Sequence, residues 1–114
     1  MDVAALDHVE SFTTKDGSAI RELHHTAAQS LAEATLAPGQ ATILHHHRVS
    51  EEIYFVLDGT GRMELDGERR HVAAGDAIFI PPGGRHTLAN DGEAPLRILC
   101  CCSPPDSDDD TYFS

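Results

Sequence analysis

Tryptophan is absent from this chain of 114 residues, and aromatic residues make up only 5% of it. Stacking platforms for bases or large rings are therefore scarce, and any core has to be aliphatic. Positive charge is scarce too: 8 basic residues stand against 19 acidic ones, a formal net charge of −11. Phosphate backbones and anionic membrane surfaces would be repelled, which argues against nucleic-acid and membrane partners. Cysteine occurs three times, contiguously, as Cys100, Cys101 and Cys102. Adjacent cysteines do not form an ordinary disulfide and the count is odd, so a secreted disulfide framework is excluded. No apolar run approaches the roughly 18 residues of a membrane span, and no charged-then-apolar leader opens the chain. These absences predict a soluble, cytoplasmic protein.

What is present suits one domain with one core, since hydrophobic residues make up 40%. Residues 1–18 show little periodicity and read as an N-terminal arm. Residues 19–103 read as a single β domain. Residues 104–114 form an acidic tail around Asp106, Asp108, Asp109 and Asp110, expected as a solvated and poorly ordered end. Within the domain, strands are predicted over 19–25 and 27–36, the latter despite helix-favouring alanines because Pro38 and Gly39 stop it. Further strands are predicted over 41–47, 51–57, 62–65 and 68–72. Asp66-Gly67 between the last two is a favoured hairpin turn. Gly59, Gly67, Gly75 and Gly83 recur every eight residues. Short strands with turns at that spacing predict an all-β antiparallel sandwich or closed barrel.

Two stretches carry chemistry. On a strand, His45 and His47 share a face while His46 points to the other. Glu52 then opens an apolar strand, with Tyr54 in its phase and Glu51 out of it. His86 follows the turn residues 81–84. Three imidazoles and one carboxylate suit a divalent transition metal, although a lone His-x-His pair also occurs in solvated turns. Such a site would carry about +1 charge and would attract a small anion. Protons should compete with the metal as pH falls through about 6 to 5.

The spacing Gly39-x5-His45-x-His47-x4-Glu52-x6-Gly59, followed by Gly75-x5-Pro81-x-Gly83-x2-His86-x3-Asn90, resembles the two cupin motifs with every position filled. A gap of 15 residues, 60–74, separates them, as in small single-domain cupins. The resemblance covers about residues 39–90 and implies a conserved β-barrel (double-stranded β-helix, or jelly roll). It also implies one divalent metal ion per chain, Fe, Mn, Zn, Ni or Cu, held by His45, His47, Glu52 and His86. The implied activity is that of a small metalloenzyme, a dioxygenase or an isomerase, lyase or decarboxylase, acting on a small oxygenated or anionic molecule. The alternative is a cupin that binds or senses a sugar or organic anion without changing it; a metal-free structural barrel ranks third.

Around this set, Tyr54 is a candidate proton donor or plain core. Arg85, beside His86, ranks first among the candidate anion anchors Arg62, Arg69, Arg70, Arg85 and Arg97. His46 is expected at the surface or in a subunit contact. One of His24 and His25 could support the site from outside. Cys100 and Cys102 share a face opposite to Cys101, either as buried small hydrophobes or near the metal pocket. The segments 77–80 and 96–102 are apolar on both strand phases, which calls for a second cover and predicts a homodimer.

Overall fold

The structure, a computed structural model, describes residues 1–113. Nine strands follow one another: β1 (Phe12–Thr13), β2 (Ala19–His25), β3 (Ser30–Leu36), β4 (Glu51–Asp58), β5 (Thr60–Leu65), β6 (Glu68–Ala73), β7 (Ala77–Ile80), β8 (His86–Ala89) and β9 (Leu96–Ser103). All pairings are antiparallel. They build a six-stranded sheet in the order β1-β2-β3-β9-β4-β7 and a three-stranded sheet in the order β6-β5-β8. This is the antiparallel double-stranded β-helix expected. The only helical pieces among the described residues are single 3₁₀ turns at Leu6–His8 and Asp108–Asp110.

Strand alternation fills the interior. On β4, Glu52, Tyr54 and Val56 point in while Ile53 and Phe55 point out. On β9, Leu96, Ile98 and Cys102 point in. Tyr54, Val56, Leu96 and Ile98 join Ile20, Ala32, Ala34, Leu36, Met63 and Leu88 in a largely aliphatic core. At about 25 cal/mol per Å² of apolar surface removed from water, these side chains supply most of the driving force for folding. The β5–β6 hairpin turns through Asp66 (φ 50°) and Gly67 (φ 85°), the left-handed pair a two-residue turn requires. Gly59 is bound twice over. Its φ is 87°, and an added Cβ would lie 2.7 Å from the Pro95 carbonyl oxygen.

Two expectations are corrected. The 41–47 segment is not a continuous strand. It runs beside β8 through isolated bridges, Ala41 with Ala89 and His45 with His86. Between them the chain breaks register, and the Ile43 N–H turns away to the Asp16 carbonyl at 2.8 Å. Ile43 and Leu44 consequently bulge into solvent.

The acidic tail is not a solvated end either. Its Asp110 carboxylate accepts the backbone N–H groups of Arg48, Val49 and Ser50 at 3.0–3.2 Å. Tyr112 pairs with His46 through two backbone hydrogen bonds, and Thr111 is buried. Three N–H groups left over in the loop after His47 need acceptors, and Asp110 supplies them.

Candidate metal centre

His45 comes from the broken segment before β4, His47 from the loop that follows, and His86 from the first position of β8. The backbone bridge between His45 and His86 sets their side chains together, with ring centroids 4.2 Å apart. His47 joins them at 5.2 Å from His45 and 5.6 Å from His86. All three are buried, and their ligand nitrogens lie within 4.8 Å of one another. This cluster could hold a metal ion.

The orientation of each ring is set from behind. His45 Nδ1 donates to the Ile43 carbonyl at 2.6 Å, His47 Nδ1 to the Asp110 carbonyl at 3.0 Å, and His86 Nδ1 to the Gly84 carbonyl at 2.8 Å. A carbonyl can only accept, so each Nδ1 carries a proton. The Nε2 lone pairs of neutral rings are then left for the centre of the cluster.

Glu52, inward on β4, brings Oε1 to 3.5 Å from His47 Nε2 and 3.4 Å from His86 Nε2. Ligands bound at about 2.1 Å to one ion stand roughly 3–4 Å apart, so these separations suit a shared ion. Glu52 Oε1 and His86 Nε2 are buried without a hydrogen-bond partner. Such orphaned atoms are costly unless something else satisfies them, and a cation between them would do so. The residues present therefore fit the expected metal.

Charge at the cluster is uneven. Burial opposes ionisation of Glu52, yet His47 and His86 outweigh it and hold its carboxyl down at about 2. Burial likewise works against a charged His47, but Glu52 prevails and raises it to about 9. His45 is lowered by burial and then by its neighbour His86. The metal-free site thus pairs a protonated His47 with an ionised Glu52.

Residues outside the sequence motifs complete the surroundings. Cys102 lies opposite Glu52 in the β4–β9 register, and its thiol donates to Glu52 Oε2 at 3.1 Å. Burial, then Glu52, pushes that thiol far above its ordinary range, so it stays protonated. Cys100 also lines the cavity, whereas Cys101 is exposed. The thiols of Cys100 and Cys102 therefore face the pocket. Asp16, from the arm, brings Oδ2 to 3.5 Å from His45 Nε2. Only the strand-phase argument for β9 hinted at any of these. The arm and tail residues Asp16, Asp106 and Asp110 lie in non-periodic stretches with no such signal.

The other candidates fall as follows. Tyr54 is buried, lines the cavity and meets the His86 ring edge-on at 5.8 Å. Arg85 is exposed beside the β5–β6 turn, where its N–H donates to Asp66 at 2.9 Å, and does not line the cavity. Arg97 is engaged by Glu33 at 2.7 Å and Asp58 at 2.6 Å. His46 is not at the surface but 6% exposed, stacked on Tyr112 at 5.4 Å. His24 and His25 lie away from the cluster on β2, and His25 pairs with Glu22.

Comparison with known proteins agrees with this fold. The family described as "Cupin domain" matches residues 32–102. An uncharacterized protein of Methanocaldococcus jannaschii, MJ1618, is 50% identical over 110 residues, 92% of this chain and 88% of that one. The oxalate-binding protein of Thermotoga maritima is 34% identical over 79 residues, 69% of this chain and 65% of its own length. Among solved structures, KdgF from Halomonas sp. superposes with a TM-score of 0.84 at 22% identity, covering 96% of this chain and 97% of that one.

Proposed function

The chain belongs to the cupin family, and on that premise we propose that it binds one divalent transition-metal ion per chain through His45, His47, His86 and Glu52. The observation that carries this is the pair of buried, unpartnered atoms, Glu52 Oε1 and His86 Nε2, facing three imidazoles pinned by their Nδ1 hydrogen bonds. When bound, such a metal supplies Lewis acidity, and in a redox-active ion electron transfer, at positions the protein leaves open. The function that follows is a small metalloenzyme of the dioxygenase or the isomerase, lyase or decarboxylase type, acting on a small oxygen-bearing molecule.

The chain's own groups have distinct parts in this reading. The Nδ1 acceptors Ile43, Asp110 and Gly84 orient the ligands. Cys102 holds one oxygen of Glu52 and leaves the other for the ion. Burial, then the nearby Glu52, raises Tyr54 well above its ordinary range, so its phenol remains a hydrogen-bond donor and does not act as a base. The apolar walls from Ile20, Leu88 and Ile98 keep bulk water out. The exposed thiol of Cys101 suits a reducing compartment such as the cytoplasm. A second reading, ligand binding without turnover, is favoured by the relative that is named for binding oxalate.

The test is elemental analysis of untagged protein purified without a nickel column. About one metal ion per chain is expected. A His47→Ala variant should lose it together with thermal stability, because a ligand of the native state alone stabilises that state. His46→Ala should keep the metal. No metal in the wild type, even after reconstitution, would sink the proposal.

A further inference from the structure

The cavity in front of the histidines is small, about 50 Å³, with room for a ligand of only a few heavy atoms. Its walls are unexpectedly acidic. Asp16, Glu22, Glu52, Asp106 and Asp108 all line it, and besides the imidazoles Lys15 is the one basic side chain among the described lining residues. The Lys15 ammonium is already held by the carbonyl oxygens of Asp108 at 3.2 Å and Thr111 at 3.1 Å. No arginine lines the space.

Asp16 is the most firmly placed of these carboxylates. Its Oδ1 accepts the Ser18 N–H at 3.0 Å and the hydroxyls of Ser18 at 2.7 Å and Thr14 at 2.5 Å. That saturates Oδ1 and leaves Oδ2 aimed at the Nε2 of His45, 3.5 Å away. The arm thus delivers a second carboxylate to the imidazole cluster, from the side of His45, while Glu52 approaches from the side of His47 and His86. Glu52 Oε1, which faces the same cluster, is buried without a hydrogen-bond partner.

Taking the metal as +2 and Glu52 as −1, the +1 expected from the sequence is cancelled by Asp16 before the other carboxylates are counted. An anionic ligand would enter against uncompensated negative charge, where low local dielectric strengthens the repulsion. A hydroxyl-bearing ligand meets the opposite situation. Its oxygens can reach the ion while its O–H or ammonium groups donate to Asp16 Oδ2 and to the Asp106 and Asp108 carboxylates on the cavity wall.

Resting on the metal reading above, we propose that this site takes a small hydroxyl-bearing molecule of neutral or positive charge and rejects dicarboxylates, with Asp16 as the residue that sets the preference. In this the chain departs from its relative named for binding oxalate.

Asp16→Asn is the decisive variant. The amide keeps an Oδ1 for the Thr14 and Ser18 donors, so the turn is retained, and a neutral NH2 group replaces the charged oxygen that faces His45. Wild-type and variant proteins are loaded with Co(II). Their visible spectra are then titrated with malonate, a dianion that chelates through two oxygens, and separately with 2-amino-1,3-propanediol. The wild type should respond to the aminodiol at concentrations where malonate has no effect. Asp16→Asn should bind malonate at least about tenfold more tightly than the wild type and the aminodiol correspondingly less tightly. Asp106→Asn, also on the cavity wall, should shift both affinities in the same direction.

Wild-type protein that binds Co(II) and takes malonate as readily as the Asp16→Asn variant would overturn the ligand preference alone. Wild-type protein that binds no Co(II) would instead overturn the metal reading and this inference with it.

Discussion

The proton on His47 and the ion that would replace it compete for one nitrogen. In the metal-free protein, Glu52 holds that proton up to about pH 9 against the opposing effect of burial. Because the folded value lies above the ordinary 6.5, the pair stabilises the metal-free fold fully below about pH 6.5. That contribution is lost as pH rises through about 9. A metal needs the bare Nε2, so its binding near neutrality expels the proton. Affinity for Zn(II) should therefore climb by up to about tenfold per pH unit between roughly pH 6.5 and 8.5. A chelator competition at several pH values checks this, and a flat profile would show that no proton is displaced. The unperturbed imidazole of the sequence argument placed the competition lower, between about pH 6 and 5. The difference is the carboxylate next to His47.

That carboxylate was legible because β4 has strict alternation: choosing Glu52 over Glu51 needs only strand phase. The hairpin at Asp66-Gly67 and the course of β2, β3 and β4 were legible for the same reason, since period and turn chemistry are local. The 41–47 segment misled because its histidines keep the alternation of a strand while its hydrogen bonds go to Asp16, β8 and Tyr112 in turn. Partners so distant in sequence leave no periodic trace.

The tail misled more strongly. Four aspartates look solvated, yet Asp110 works as a cap for the loop N–H groups of residues 48–50. Burial opposes its ionisation, and those donors, from Ser50, Arg48 and Val49, outweigh it and hold the carboxyl below its ordinary range. Asp110→Ala should cost about 2 kcal/mol, the scale of hydrogen bonds to a charged acceptor, as read by denaturant unfolding. Because the Asp110 carbonyl also positions His47, metal affinity should fall about tenfold in the same variant. Unchanged values would mean that the tail only rests on the barrel.

On the outside of the larger sheet, Ile53 is 44% exposed, Phe55 40% and Phe79 54%. Ile53 and Phe79 are direct cross-strand partners, and Cys101 flanks Ile53 on the other side. This contiguous apolar face is the structural counterpart of strands that read as apolar on both phases, and it suits a twofold contact between copies. Sedimentation of the wild type should give twice the 12.3 kDa chain mass. Phe79→Asp should give a monomer that still carries its metal, because Phe79 lies on the outward face of β7, opposite Ile53 and not opposite Glu52 or Tyr54. A wild type that sediments as a single chain would remove the dimer.

The hydrogen bond from His47 to Asp110 also imposes an order of events during synthesis. Translation proceeds from the N-terminus, so all nine strands leave the ribosome before residue 110 does. A nascent chain that has not yet exposed residue 110 would own the four proposed ligands and a nearly finished barrel, yet His47 would lack the acceptor that fixes its ring. Orientation of the proposed ligand His47 is thereby deferred until the segment around residue 110 has joined the barrel.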